Sequence, residues 1–85
     1  DQADAVRALP PAEQQAMIRS MVDRLAARLA ENPRDEAGWL RLMRARQVLG
    51  DAAQARAARD KALAAFAGDA AAQGRIRTAA GELGL

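Results

Sequence analysis

Trp39-Leu40-Arg41-Leu42 is followed in the chain by Leu49-Gly50-Asp51, and then by Ala55 and Ala62. The first run places an indole and a leucine three residues apart, on one face of a helix. The glycine is suited to end that helix, the aspartate to cap the next one, and the two alanines to let two helix backbones approach closely. The pattern predicts a helical hairpin in which large apolar residues of one helix pack on small residues of the other.

This predicted hairpin resembles the tetratricopeptide (TPR) repeat, a helix–turn–helix unit of about 34 residues. The chain repeats weakly at that interval, because a shift of one repeat moves Leu42 onto Ile76 and Gly50 onto Gly84. A single unit of this kind cannot bury its apolar face, so neighbouring units stack into a solenoid. We therefore predict an all-α fold, a short α-solenoid of TPR-like antiparallel hairpins with about four main helices.

Start and stop residues divide the chain into an N-terminal arm, residues 1–10, and a TPR-like helical domain, residues 11–85, with Pro10-Pro11 at the boundary. The predicted helices run from Pro11 to about Ala30, from Glu36 to Leu49 behind a cap at Asp35, from a cap at Asp51 to Ala67, and from Ala70 to Leu83. The first helix carries an apolar stripe at the spacing of an amphipathic helix, formed by Met17, Ile18, Met21, Val22, Leu25 and Leu29.

The composition favours one helical domain built by close helix approach. Of the 85 residues 51% are hydrophobic, many of them alanine, and only Trp39 and Phe66 are aromatic. The 13 basic and 11 acidic residues are interleaved and leave a net charge of +2, a pattern that argues against a nucleic-acid-binding stripe. No apolar run reaches the length of about 18 residues that a membrane-spanning helix needs, so we expect no membrane span in this chain.

Side chains that carry catalysis or bind metals are scarce. The sequence has no histidine, cysteine or tyrosine, and its one serine, Ser20, falls within a predicted helix with no base to activate it. The acidic residues are scattered, and the usual nitrogen and sulfur ligands of zinc are missing. We expect a protein that is not an enzyme, holds no metal and needs no cofactor.

Several runs resemble the periplasmic TPR domain of the c-type cytochrome biogenesis family CcmI, also called CycH. They are Gln14-Gln15-Ala16-Met17-Ile18-Arg19-Ser20-Met21-Val22, Leu25-Ala26-Ala27-Arg28-Leu29 with Asn32-Pro33, Gly38-Trp39-Leu40-Arg41-Leu42, and Val48-Leu49-Gly50-Asp51. The resemblance extends from Pro11 to Leu85. Its first two runs discriminate this family, because the TPR features alone are shared by many scaffolds.

The resemblance implies a non-catalytic module of c-type cytochrome maturation in the periplasm, as a soluble domain of an inner-membrane protein. Such a module is an apocytochrome c chaperone that recognises the C-terminal helical part of its client and presents it to the haem-ligation components. Two alternatives stay open. The chain is a generic TPR scaffold of a bacterial envelope complex, or its long first helix pairs with a second copy to form a homodimer.

The concave face of a TPR array is built from the first helix of each hairpin, which here offers Leu40, Arg44, Gln47 and Thr78 as candidate peptide-binding residues. Arg46 and Arg59 stand where typical repeats have aromatic residues, and we add them as candidates because arginine binds carboxylates bidentately. The alternative is that Leu40 is an ordinary exposed apolar residue and that the two arginines lay their stems on the hairpin, with heads in water or near Asp23 or Glu82.

The three methionines also allow two interpretations. Met17, Met21 and Met43 could offer an adaptable surface to apolar helices, since methionine is flexible and polarizable. Their spacing coincides with the predicted buried stripe, so we favour a role in filling the core.

Overall fold

The computed structural model describes residues 10–85, and these form four α-helices and no strand. They are α1 (Pro11–Glu31), α2 (Glu36–Val48), α3 (Ala52–Ala65) and α4 (Ala70–Glu82). The predicted all-α class is confirmed, and each helix boundary lies within two residues of its expected place. The predicted N-terminal arm falls, apart from Pro10, outside the described residues.

Each of the last three helices begins at an aspartate that caps it. The carboxylates of Asp35, Asp51 and Asp69 accept hydrogen bonds from the backbone N–H of the residue three positions ahead, at 3.0, 3.2 and 3.1 Å respectively. Gly50 and Gly68 precede two of these caps with φ of 78° and 86°, in the left-handed region that glycine enters without strain. These local signals explain why the helix boundaries were predictable.

Successive helices pack antiparallel, and α2 is in contact with each of the other three. The antiparallel direction follows from the short connections between successive helices, and the ion pair between Asp23 in the middle of α1 and Arg46 near the end of α2 agrees with it. The core is made of these buried apolar residues: Val22, Leu29, Trp39, Leu42, Met43, Ala55, Ala58, Ala62, Phe66, Ala72, Ile76 and Ala80. The predicted pairing of large residues with alanines is therefore confirmed.

Gly38 of α2 lies directly against the Leu29 side chain of α1. A Cβ built on Gly38 would lie 2.7 Å from Leu29 Cδ2 and 2.6 Å from Asp35 Oδ2, which is nearer than real Cβ contacts allow. Leu29 is buried on all sides, and the Asp35 carboxylate is already used as the cap of α2. Glycine is therefore required at this position by packing, while its φ remains helical.

We expect Gly38→Ala to lower the free energy of unfolding by about 1–2 kcal/mol. The overpacking and the disturbed cap together cost more than the gain in helix propensity of at most about 1 kcal/mol. Gly74→Ala in α4 is the matched control, since a Cβ there meets nothing within 4 Å, and it should stabilise the fold by about 1 kcal/mol. Urea unfolding of both variants measures the change in free energy of unfolding. Changes of the same sign in the two variants would contradict the prediction.

The expected core role of the methionines holds for one of the three. Met43 is fully buried, Met21 is only half-buried, and Met17 is 43% exposed, so the prediction for Met17 is wrong. The reason is length. The 21 residues of α1 span about 31 Å against about 20 Å for the 13 residues of α2, and the pairing of Asp23 with Arg46 leaves the first turns of α1 beyond the end of α2.

Candidate functional site

Two contacts hold α2 and α4 side by side and parallel. At one end the Arg75 guanidinium donates two hydrogen bonds of 2.8 Å to the carboxylate of Glu36. At the other end the amide Nε2 of Gln47 donates to the carbonyl oxygen of Leu83 at 2.9 Å. In the predicted TPR arrangement α2 and α4 correspond to the first helices of successive hairpins, so these braces would set the surface that such an array offers to a ligand. We call this surface the concave face.

The brace at Glu36 is electrostatic as well as geometric. The hydrogen bond from Arg75 holds the pKa of Glu36 below its ordinary value of 4.5, and burial and the charge of Asp69 oppose this shift only in part. The same hydrogen bond raises the pKa of Arg75, which stays charged at every accessible pH. The carboxylate of Glu36 is therefore bound in its ionised form.

We expect this contact to stabilise the fold above pH 4.5 and to be lost in acid. A lowered pKa in the folded state means that the unfolded chain takes up the proton first, so the contribution disappears as the pH falls through the folded-state pKa of Glu36. The difference in unfolding free energy between the wild-type chain and Glu36→Gln should be constant at neutral pH and shrink below pH 4.5. Urea titrations at several pH values test this, and a pH-independent difference would contradict it.

The candidate residues of the concave face differ in their solvent exposure and in whether their polar groups are already hydrogen-bonded. Leu40 is half-buried and packs against the core, Arg44 and Thr78 are exposed, and the amide group of Gln47 is engaged by Leu83. Thr78 lies one turn after Arg75, on the side of α4 that meets α2. The structure thus brings the set onto adjoining helices, with Arg44 and Thr78 as its most accessible members.

The two candidate arginines at aromatic TPR positions have acidic neighbours. Arg46 Nη1 lies 3.1 Å from the carboxylate of Asp23 on α1, one of the two acids expected from the sequence, and the Arg46 side chain is only 15% exposed. Arg59 pairs instead with the adjacent Asp60 at 3.0 Å. Arg46 therefore links α1 to α2, while the pair of Arg59 stays within α3.

A second surface follows α1, and its arginine residues were not among the candidates predicted from the sequence. Two adjoining open cavities of about 490 and 450 Å³ share Met21, Leu25 and Arg28. We call their union the first-helix groove; its lining residues are Ile18, Met21, Val22, Arg24, Leu25, Ala27, Arg28, Glu31, Arg41 and Ala45. The sequence places Arg24 and Arg28 one turn apart beside Met21 and Leu25, and the expectation for this apolar stripe was that it fills the core or pairs with a second copy, with no role for the arginines.

Within residues 10–85, no three acidic, histidine or cysteine side chains come together as a metal site would require. In the same range, no helix is both long and apolar enough to cross a bilayer. What the two surfaces offer is apolar contact, arginine side chains and hydrogen-bonding groups, which suit the binding of another polypeptide.

Comparison with known proteins finds two relatives, both named cytochrome c-type biogenesis protein CycH. The protein of Rhizobium meliloti is 38% identical over 81 residues, which cover 95% of this chain. The protein of Bradyrhizobium diazoefficiens is 54% identical over 50 residues, which cover 59% of this chain. The chain spans only 21% and 12% of the lengths of these two relatives.

No protein-family model and no solved structure matches the chain. The comparison therefore rests on the two relatives, which have the same name. The chain is thus homologous to a short segment of two proteins named for the biogenesis of c-type cytochromes.

Proposed function

We propose that this chain is a protein-binding module of c-type cytochrome maturation, within the periplasmic part of an inner-membrane protein. It acts as an apocytochrome c chaperone, which recognises the C-terminal helical part of its client and presents it to the haem-ligation components. The observation that carries this proposal is the 38% identity, over 95% of the chain, to a protein named for cytochrome c-type biogenesis.

The concave face supports the proposal by its geometry. Its two parallel helices are braced at both ends, by Arg75 on Glu36 and by Gln47 on Leu83, so a ligand meets a preformed surface and loses less entropy on binding. An amphipathic helix would lay apolar side chains near Leu40 and acidic ones near Arg44. Binding of this kind needs no catalytic residue.

The proposal is tested by calorimetry of the chain with a synthetic peptide of the C-terminal helix of an apocytochrome c. We expect binding with a negative heat-capacity change, because apolar surface is buried. Arg44→Glu should weaken it at least about tenfold, a loss of about 1.4 kcal/mol. Arg56→Glu is the matched control, since it makes the same charge change at an exposed site on α3 and should leave the affinity unchanged.

In this proposal Arg46 and Arg59 strengthen the binding of an acidic peptide through their positive charge. Their joint replacement by glutamine should weaken an acidic peptide in a salt-dependent way and change stability by less than about 1 kcal/mol, since Asp23 and Asp60 are themselves largely exposed. No heat and no chemical-shift change at millimolar peptide would reject the proposed function. A sedimentation mass twice that of the chain would favour the homodimer instead.

A further inference from the structure

We propose that the first-helix groove is a second docking site, which binds an amphipathic helix of a partner protein whose apolar stripe is flanked by acidic residues. The site is separate from the concave face, and the inference stands independently of the proposed function. It rests on three observations: an apolar floor, arginines without partners along its rim, and a length that suits a helix of three to four turns.

The floor of the groove is apolar and accessible. Ile18, Met21 and Leu25 are half-buried, and Ile18 and Leu25 pack against the core, so each of the three leaves part of its side chain to solvent. Met17 extends the same face by one turn and is 43% exposed. Methionines at such a surface adapt to varied apolar partners, which the alanines of α3 cannot do.

The rim of the groove is positive. Arg24 and Arg28 lie one turn apart on α1 and Arg41 lies across from them on α2, whereas Glu31 is the one acid among the lining residues. Within residues 10–85, none of these three arginines makes an ion pair or a side-chain hydrogen bond. Arg34, Arg46, Arg59 and Arg75, by contrast, each have a partner. Three described arginines without such a partner therefore line the rim beside the apolar floor, while Arg19, Arg44, Arg56 and Arg77, which also lack one, lie outside the lining of the groove.

The dimensions of the groove match a helix. From Ile18 to Glu31 the axis of α1 extends about 20 Å, which corresponds to three to four turns of a partner helix lying alongside it. A helix in a groove is anchored by apolar residues at positions i, i+3 or i+4, and i+7, and this length admits such a set. Acidic residues beside that stripe would reach the arginine rim, where carboxylates form charge-assisted hydrogen bonds.

A second copy of the chain fits the groove less well than an acidic helix does. A two-fold contact places the same patch on both subunits, so Arg24, Arg28 and Arg41 of one copy would face the same three arginines of the other. Like charges brought together at a contact oppose binding. The occupant we infer is therefore a helix of opposite charge.

The probe is a designed helical peptide of 16 residues with a leucine stripe flanked by glutamates, and its control carries lysines in place of the glutamates. The chain is labelled with ¹³C at its methionine methyl groups, which yields three signals, one each for Met17, Met21 and Met43. We expect the glutamate peptide to shift the Met21 signal and to leave the buried Met43 signal in place. The lysine peptide should shift neither.

A charge reversal makes the test specific to the rim. The double variant Arg24→Glu/Arg28→Glu should bind the glutamate peptide at least about tenfold more weakly and gain affinity for the lysine peptide. Arg56→Glu, at an exposed site on α3 outside both surfaces, is the control and should leave both affinities unchanged. Circular dichroism of each variant shows whether the helices are retained, which is expected because Arg24 and Arg28 are exposed.

Three results would overturn the inference. The first is a Met21 signal that does not move at millimolar glutamate peptide, or that moves equally in the charge-reversed variant. The second is a Met21 signal that depends on protein concentration together with a dimeric sedimentation mass, which would make a second copy the occupant. The third is binding of the peptide to residues 10–85 but not to residues 1–85, which would make the first nine residues of the chain the occupant.

Discussion

Replacing Trp39 with alanine is expected to lower the free energy of unfolding by about 3–5 kcal/mol, the usual cost of truncating a buried aromatic side chain. The indole is 4% exposed within the core, and its N–H donates a hydrogen bond of 2.7 Å to the carbonyl oxygen of Pro33. A domain of this size has a total stability of about 5–15 kcal/mol, so much of it should be lost. Urea unfolding followed by circular dichroism measures the change.

Trp39→Phe is the control for this result. Phenylalanine keeps most of the buried ring but loses the bond to Pro33, so we expect a cost of only about 1–2 kcal/mol. If Trp39→Ala left the melting temperature unchanged, the packing of α2 on α1 and α3 described above would be wrong.

Replacing Ile76 with alanine is expected to cost about 2–5 kcal/mol, the range for removing a fully buried aliphatic side chain. Ile76 has no exposed surface and is the large apolar residue that α4 contributes to the core, where Ala72 and Ala80 flank it. Hydrogen exchange of the α4 amides should rise along with the loss of global stability, because no other buried residue of this helix has comparable volume.

Val48→Ala is the matched control for Ile76. Val48 is 79% exposed near the end of α2, so its truncation should change stability by less than about 0.5 kcal/mol. Faster exchange confined to α4, with global stability unchanged, would show that α4 is attached loosely and would contradict the assignment of Ile76 to the common core.

The helix boundaries and much of the core could be predicted because their signals are local. Asp35, Asp51 and Asp69 each cap the helix that follows directly, and the capping bond joins residues three apart. The packing of Trp39 and Leu42 on alanines of α3 follows from the same periodicity. These features need no knowledge of the rest of the chain.

The contacts that form the two candidate surfaces could not be predicted in this way. The bond from Gln47 to Leu83 joins residues 36 positions apart, and the bond from Arg75 to Glu36 joins residues 39 apart. Each depends on how the hairpins stack. Met17 fits the apolar stripe of α1 by spacing, but its exposure depends on how far α1 extends past α2, which periodicity does not encode.

The two braces between α2 and α4 also bear on how fast the chain folds. Among the described residues, the side-chain hydrogen bonds and ion pairs between different helices join residues that are 10 to 39 positions apart in the sequence. No long segment must therefore find a distant partner before native contacts begin to form. Helical proteins dominated by such local contacts fold in microseconds to milliseconds. We accordingly expect this chain to regain its native state within milliseconds of dilution out of urea.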